Sequence, residues 1–336
     1  MQEFPENIHY KLDISKDSYS CTYDNTFLLF KSSQEILHLI YSTLNRSIIS
    51  YNISNPKNFQ ILTEIKKAHN DYIDNFRHEF DSKNNRDLIL SLSSGDNNIK
   101  IWNLKNWSCV FDIKNIYKIG TVLSSCFLLD EKFNYNYIVT CNFFMYNIKL
   151  IDLSQTPKND FEIENDINTN LFIDKYYDKD KNNYYIITGN NWNVNSYDLN
   201  KKILYHKYET SRSTGHKTAH VFKSSDNITK IFSPCKEGYL LIFNFHTGEM
   251  IEKILCGNDG DNLIGLCLWN EKYAFTAGKN KILKLVNLNK KEVIKEFKEH
   301  KQLICSIKNI KHDSLGQIII THGLDNKIKL WTIKSE

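Results

Sequence analysis

The heptapeptide Asn98-Ile99-Lys100-Ile101-Trp102-Asn103-Leu104 decides the reading of this chain. Apolar and polar residues alternate with the two-residue period of a half-buried strand. The segment then closes on a large hydrophobe, an Asn and a Leu. The same pattern returns at Ser47 to Ile53, Asn147 to Leu153, Asn193 to Leu199, Tyr239 to Phe245, Ile282 to Leu288 and Lys327 to Ile333. The anchors are Tyr51, Trp102, Ile151, Tyr197, Phe243, Val286 and Trp331, so successive steps are 51, 49, 46, 46, 43 and 45 residues. That period is one repeat of about four short strands with their turns.

Working outward, the sixth unit reads as strands Leu263 to Trp269, Tyr273 to Ala277, Ile282 to Leu288 and Glu292 to Phe297, separated by Asn, Gly and Lys turns. A four-stranded sheet this small cannot hide both faces, so such units stack around an axis as a propeller. The expected fold is all-β: one domain over 1–336, a single seven-bladed β-propeller of four-stranded antiparallel blades. The blades are placed at 18–67, 70–113, 121–165, 170–209, 219–256, 262–298 and 303–333. The seventh unit has only three strands before Glu336, while Ile8 to Ile14 is an orphan strand with Ile8, Tyr10, Leu12 and Ile14 on one face. This N-terminal strand, 8–14, is expected to close the ring and remove an open edge.

Composition agrees with a folded, soluble chain. Of 336 residues, 41% are apolar and 13% aromatic, enough to bury a core. No stretch approaches the roughly 18 consecutive apolar residues of a membrane helix, and Met1 to Asn7 has no secretory character, so no membrane role is expected and the compartment is expected to be cytoplasmic, a nuclear one being compatible. Eight cysteines lack any CxxC pair and read as reduced, mostly buried side chains; no metal and no cofactor is expected. The net charge of +4 falls short of a dedicated nucleic-acid binder, so a nucleic-acid partner is not expected. Asn, Lys and Ile are abundant enough to suggest AT-rich coding, which discounts arguments from surface Lys and Asn.

Two units resemble the WD40 repeat family closely. They are His69-Asn70-Asp71-Tyr72-Ile73 with Ser94 to Asn103, and His300-Lys301-Gln302-Leu303-Ile304 with Thr321 to Trp331. Gly215-His216 resembles the family's Gly-His at another blade, with one residue more before Val221. The remaining units carry Tyr51, Ile151, Tyr197, Phe243 and Val286 where the family has Trp. The resemblance implies a buried network of a His before strand a, a hydroxyl on strand b, an Asp in the b–c turn and a Trp on strand c. Carried over residue by residue, these are His300, Thr321, Asp325 and Trp331 in the seventh unit. The second unit has His69, Asp96 and Trp102, with Leu92 where the hydroxyl belongs. A His/Asp pair also suits catalysis, but its recurrence at one blade position in two units favours a structural role.

Sequence chemistry points away from an enzyme. GxSxG, HExxH, a Walker loop and GxGxxG are all missing, and the chain has only four arginines, Arg46, Arg77, Arg86 and Arg212. Asp178 to Asn183 starts like a calcium loop but has Asn183 at position six and Gly189 at position twelve, so it reads as a turn. Lys279 to Lys311 holds ten Lys against three Glu, readable as a basic face on blades six and seven or as solvated strand faces.

The sharper feature is apolar. Phe143, Phe144, Met145 and Tyr146 stand in the b–c turn of the third unit, and Trp192 in that of the fourth, on what the propeller makes a single rim. They are the candidate partner-binding residues. The expectation is a non-enzymatic scaffold that binds a protein or peptide on the b–c/d–a rim, monomeric by itself or a subunit of a larger complex. The rival readings are an enzyme or small-ligand propeller using the central funnel, and a nucleic-acid or ribosome-associated propeller using Lys-rich blades six and seven.

Overall fold

The computed structural model describes residues 7–15, 18–19, 25–55, 58–142, 147–154, 160–164, 170–209, 215–258 and 260–333. Seven four-stranded antiparallel sheets form a ring. Blade 1 is β2 (Phe27–Lys31), β3 (Leu37–Ser42), β4 (Ile48–Asn52) and β5 (Gln60–Ile65). Blade 2 is β6 (Asn75–Asp81), β7 (Arg86–Ser93), β8 (Asn98–Asn103) and β9 (Ser108–Lys114). Blade 3 comprises β10 (Val122–Asp130), β11 (Tyr135–Asn142), β12 (Asn147–Asp152) and β13 (Phe161–Glu164). Blade 4 follows with β14 (Phe172–Asp178), β15 (Asn183–Gly189), β16 (Asn193–Asp198) and β17 (Ile203–Glu209). In blade 5 the strands are β18 (His220–Lys223), β19 (Thr229–Pro234), β20 (Tyr239–Asn244) and β21 (Met250–Leu255). In blade 6 they are β22 (Leu263–Leu268), β23 (Tyr273–Gly278), β24 (Leu283–Asn287) and β25 (Glu292–Phe297). Blade 7 joins β26 (Ile304–His312), β27 (Gly316–Gly323) and β28 (Lys327–Ile333) to β1 (Ile8–Ser15) from the other end of the chain.

The first strands of neighbouring blades touch one another around the axis, and the fourth strands form the outer edge. In five blades one residue of the short b–c turn takes the left-handed conformation: Arg46, Asn97, Gly238, Lys281 and Asn326. Asn and Gly adopt it most readily. Apolar side chains gather at each of the seven blade interfaces. The two tryptophan anchors sit in two of them. Trp102 packs with Phe30, Ile40 and Phe76 between blades 1 and 2, and Trp331 with Phe275, Phe297 and Ile307 between blades 6 and 7. Burial of a large apolar side chain contributes roughly 1.5–3 kcal/mol, so these interfaces hold the ring together.

Closure by the N-terminal strand is as the sequence predicts, but its side chains do not share one face. β1 pairs antiparallel with β28, with Ile8 opposite Ile333 and Tyr10 opposite Trp331, and a bulge between Tyr10 and Leu12 shifts the register. An extra residue in one strand reverses the alternation beyond it. Ile8 and Tyr10 therefore join the core between blades 6 and 7, whereas Leu12 and Ile14 join the core between blades 7 and 1. One short strand so seals two interfaces. Farther along, His322 donates or accepts at Ser18 Oγ (2.9 Å) and Thr26 Oγ1 (2.8 Å), tying the segment after β1 to blade 7.

Candidate interaction rim

The hydrogen-bond networks fix the loops of the b–c/d–a rim, most completely on blade 7. Trp331 Nε1 donates to Thr321 Oγ1 (2.9 Å), and that oxygen lies 2.8 Å from His300 Nε2. A hydroxyl already accepting from Trp has its proton free for Nε2, which leaves Nδ1–H to donate to Asp325 at 3.0 Å. Asp325 also accepts from the Lys301 N–H at 2.9 Å. Burial works to raise the Asp325 pKa, but the bonds from His300 and Lys301 outweigh it and the net shift is downward. A Cβ on Gly323 would lie 2.6 Å from His300 Nδ1, so the network itself demands glycine there.

Blade 2 differs in one residue from the sequence reading. The hydroxyl is not missing at Leu92: Ser91 supplies it, 2.8 Å from His69 Nε2 and accepting from Trp102 Nε1 at 2.9 Å. The b–c turn explains the slip. Ser93 pairs with Asn98 across it, while Gly323 pairs with Lys327, so the turn of blade 2 is one residue longer and counting back from Asp96 misses by one. His69 Nδ1 and Asp96 are 3.6 Å apart, too far for a good hydrogen bond, and Asp96 accepts instead from the Asn70 N–H (2.7 Å). Burial pushes the His69 pKa down to about 4, helped by Lys100.

Partial versions persist elsewhere. In blade 5 His216 Nδ1 meets Ser233 Oγ at 2.8 Å, and in blade 3 the Tyr117 hydroxyl takes the histidine's place, 2.7 Å from Thr140 Oγ1.

The lysines of strand c belong to the same scaffold. Lys100 Nζ donates to Ala68 O (2.7 Å), Lys149 to Ile116 O (3.4 Å) and Lys284 to Cys256 O (2.6 Å), each bracing the loop that enters its own blade. Lys329 pairs with Asp13 on the closing strand (3.0 Å). The Lys-rich stretch from Lys279 to Lys311 consequently does not build one face. Lys284 is buried; Lys291 and Lys298 pair with Glu252 and Glu296; Lys279, Lys281 and Lys301 stand on the b–c/d–a rim, and Lys290 in a turn of the opposite one.

Trp192 stands out from the b–c turn of blade 4, 54% exposed. The Asn190 carboxamide fixes that turn by accepting from the Trp192 N–H (2.7 Å) and the Asn193 N–H (2.9 Å). Phe143, Phe144, Met145 and Tyr146 lie outside the described residues. Three residues not singled out in the sequence share the rim with Trp192: Leu44 in the b–c turn of blade 1, Tyr72 in the loop entering blade 2 and Ile119 in the loop entering blade 3, between 39% and 66% exposed. Tyr72 stacks on Tyr19 with centroids 4.3 Å apart, and the Arg46 guanidinium lies 5.9 Å from its ring.

Polar groups crowd the inner wall near blade 3. Arg77 Nη2 donates to Ile173 O (3.1 Å) and Lys175 pairs with Glu79 (2.6 Å), linking blade 2 to blade 4 across the inner strand β10. Two clefts of about 650 and 690 Å³ open on the opposite rim, on either side of the turn from Asp81 to Arg86. Asp87 in the wall of the first is bonded by His78 Nε2 from behind it (2.7 Å) and accepts from the Ser33 N–H (3.0 Å).

Among the described residues, no group of three or more His, Cys, Asp or Glu is placed to hold a metal ion. No helix among them is long and apolar enough to cross a membrane. No family model matches the chain, and no curated protein sequence is similar to it at a significant level.

Proposed function

We propose that this propeller is a non-enzymatic, WD40-like scaffold, cytoplasmic, that docks a protein or peptide on the b–c/d–a rim over blades 1 to 4. One observation carries the reading: among the described residues, the large apolar side chains most exposed on connecting loops of that rim, Leu44, Tyr72, Ile119 and Trp192, all fall on this arc. Exposed aromatic and aliphatic residues on rigidly held turns have the composition of binding hot spots. Rigid loops also lose little entropy when a partner binds. The carry-over from the WD40 family supports the same surface, and Phe143, Phe144, Met145 and Tyr146 fall on the same arc in sequence.

The test is affinity capture from native extract with the wild type and an Ile119→Ser/Trp192→Ser variant of verified fold. Specific partners should be lost with that variant and retained by an Ile203→Ser/Met250→Ser variant, which changes outer strands away from the rim. Retention of the same partners by both variants refutes docking on this arc.

A further inference from the structure

We propose that the hollow between the b–c turn of blade 1 and the loop entering blade 2 binds an acidic, extended peptide segment carrying one large aliphatic side chain. The proposal rests on the docking reading above and adds the chemistry of the partner. The hollow measures about 840 Å³ and lies between the Leu44–Ser47 turn and residues 64–70. Three cations line it, Arg46, Lys66 and Lys67, all exposed, against the single carboxylate of Glu64.

These charges are not consumed by the fold. Among the described residues none of the three cations makes an ion pair, whereas Arg86, Lys175 and Lys291 are paired with Asp81, Glu79 and Glu252. Arg46 donates one bond to Asn70 O, which positions the guanidinium but does not neutralise it. Its backbone is fixed as well: Arg46 O accepts from the Ala68 N–H at 2.9 Å, so turn and loop move as one unit. Unneutralised cations in a concave site, one of them fixed in place, attract an anionic partner and gain from desolvation when it binds.

Apolar contacts argue for a peptide and against a bare phosphate or a lipid headgroup. Leu44 and Tyr72 flank Arg46, 44% and 39% exposed. Because Tyr72 is already stacked on Tyr19, it suits contact with an aliphatic group better than intercalation of a base. A carboxylate-rich segment with one Leu or Ile satisfies both kinds of contact, and a short extended segment fits a hollow bounded by two turns.

The experiment is fluorescence anisotropy with the full chain and a labelled dodecapeptide of Glu and Asp around a central Leu. Its comparators are a Leu→Gly version, an all-Lys version and phosphatidylserine vesicles. Two charge-matched variants, each shown to fold by circular dichroism, are compared: R46E/K66E/K67E in the hollow and K279E/K281E/K301E on the rim of blades 6 and 7. We expect about tenfold or greater loss of affinity in the first and less than about threefold in the second, with binding weakening as salt rises. Equal losses in both variants, equal binding of the Leu→Gly peptide, or stronger binding to vesicles than to peptide would overturn the proposal. The two readings fail separately. Loss of captured partners by Ile119→Ser/Trp192→Ser, with peptide binding unaffected by R46E/K66E/K67E, keeps the docking arc and removes the acidic partner.

Discussion

The rim over blades 1 to 4 and the rim over blades 5 to 7 are built on one backbone plan and present different side chains. Over blades 6 and 7 the carboxylates are spent on the loops themselves. Asp325 holds His300 and Lys301, and Asp261 accepts from the Asn258 N–H, from the Asn280 carboxamide (both 2.9 Å) and faces Lys284 at 3.6 Å. Over blades 1 to 4 carboxylates hold loops as well, Asp96 accepting from the Asn70 N–H (2.7 Å) and Asp74 from the Ser94 N–H (2.8 Å), but these loops also present Leu44, Tyr72, Ile119, Trp192 and the cations of Arg46, Lys66 and Lys67. A propeller repeats its core and varies its turns, so the same geometry closes the ring on one arc and presents a surface on the other.

The largest expected effect comes from breaking the closed arc. Deleting Met1 to Ser15 removes the partner of β28 and the side chains of Ile8, Tyr10, Leu12 and Ile14 from two blade interfaces. Ile8 is buried and the other three are half-buried; at roughly 1.5–3 kcal/mol for full burial and proportionately less for partial burial, they amount to about 5 kcal/mol, a large part of the stability of an ordinary domain. The truncated chain should be insoluble or should melt far below the full chain. A soluble truncation of equal melting temperature would sink closure by β1 and with it the distinction between the arcs.

A smaller effect grades the networks. His300→Ala strips Thr321 and Asp325 of a shared buried partner, and it should cost about 2–3 kcal/mol. His69→Ala removes one good bond, to Ser91, and a contact with Asp96 that is already long, so about 1–2 kcal/mol is expected. Denaturant unfolding of the two variants measures the difference. Equal costs, or the larger cost at His69, would mean that the blade 7 network is not the stronger one.

These comparisons also show what the sequence makes legible. Blade number, strand order and ring closure follow from a repeat of 43 to 51 residues, because turns and strands are local and each unit rewrites the same alternation. Positions that depend on a single inserted residue do not. The longer b–c turn of blade 2 moved the network hydroxyl from Leu92 to Ser91, and the bulge after Tyr10 sent the closing strand's side chains to two cores. Rim exposure is harder still. Trp192 is visible as an aromatic within an Asn-rich turn, but Tyr72 lies inside the stretch that resembles a repeat signature. Ile119 is one isoleucine among many. Whether a loop residue stays out in solvent is decided by the neighbouring blade, which no local pattern encodes.

The smallest expected effect is the one that separates the arcs most cleanly. Side chains that face solvent contribute little to folding, and substitutions there usually stay within about ±0.5 kcal/mol. Ile119→Ser and Trp192→Ser should therefore leave the unfolding midpoint unchanged. Lys284→Met on blade 6 should not be so neutral, because the ammonium braces Cys256 O and faces Asp261 from a buried position. Leaving that carbonyl and carboxylate without their donor should cost about 1–3 kcal/mol. Chemical denaturation of the three variants side by side decides it. If Trp192→Ser destabilises as much as Lys284→Met, the tryptophan is packed into the fold and the arc over blades 1 to 4 loses its claim to be a free surface. If only Lys284→Met destabilises, the exposed residues of that arc add nothing measurable to the stability of the fold, as the docking proposal requires.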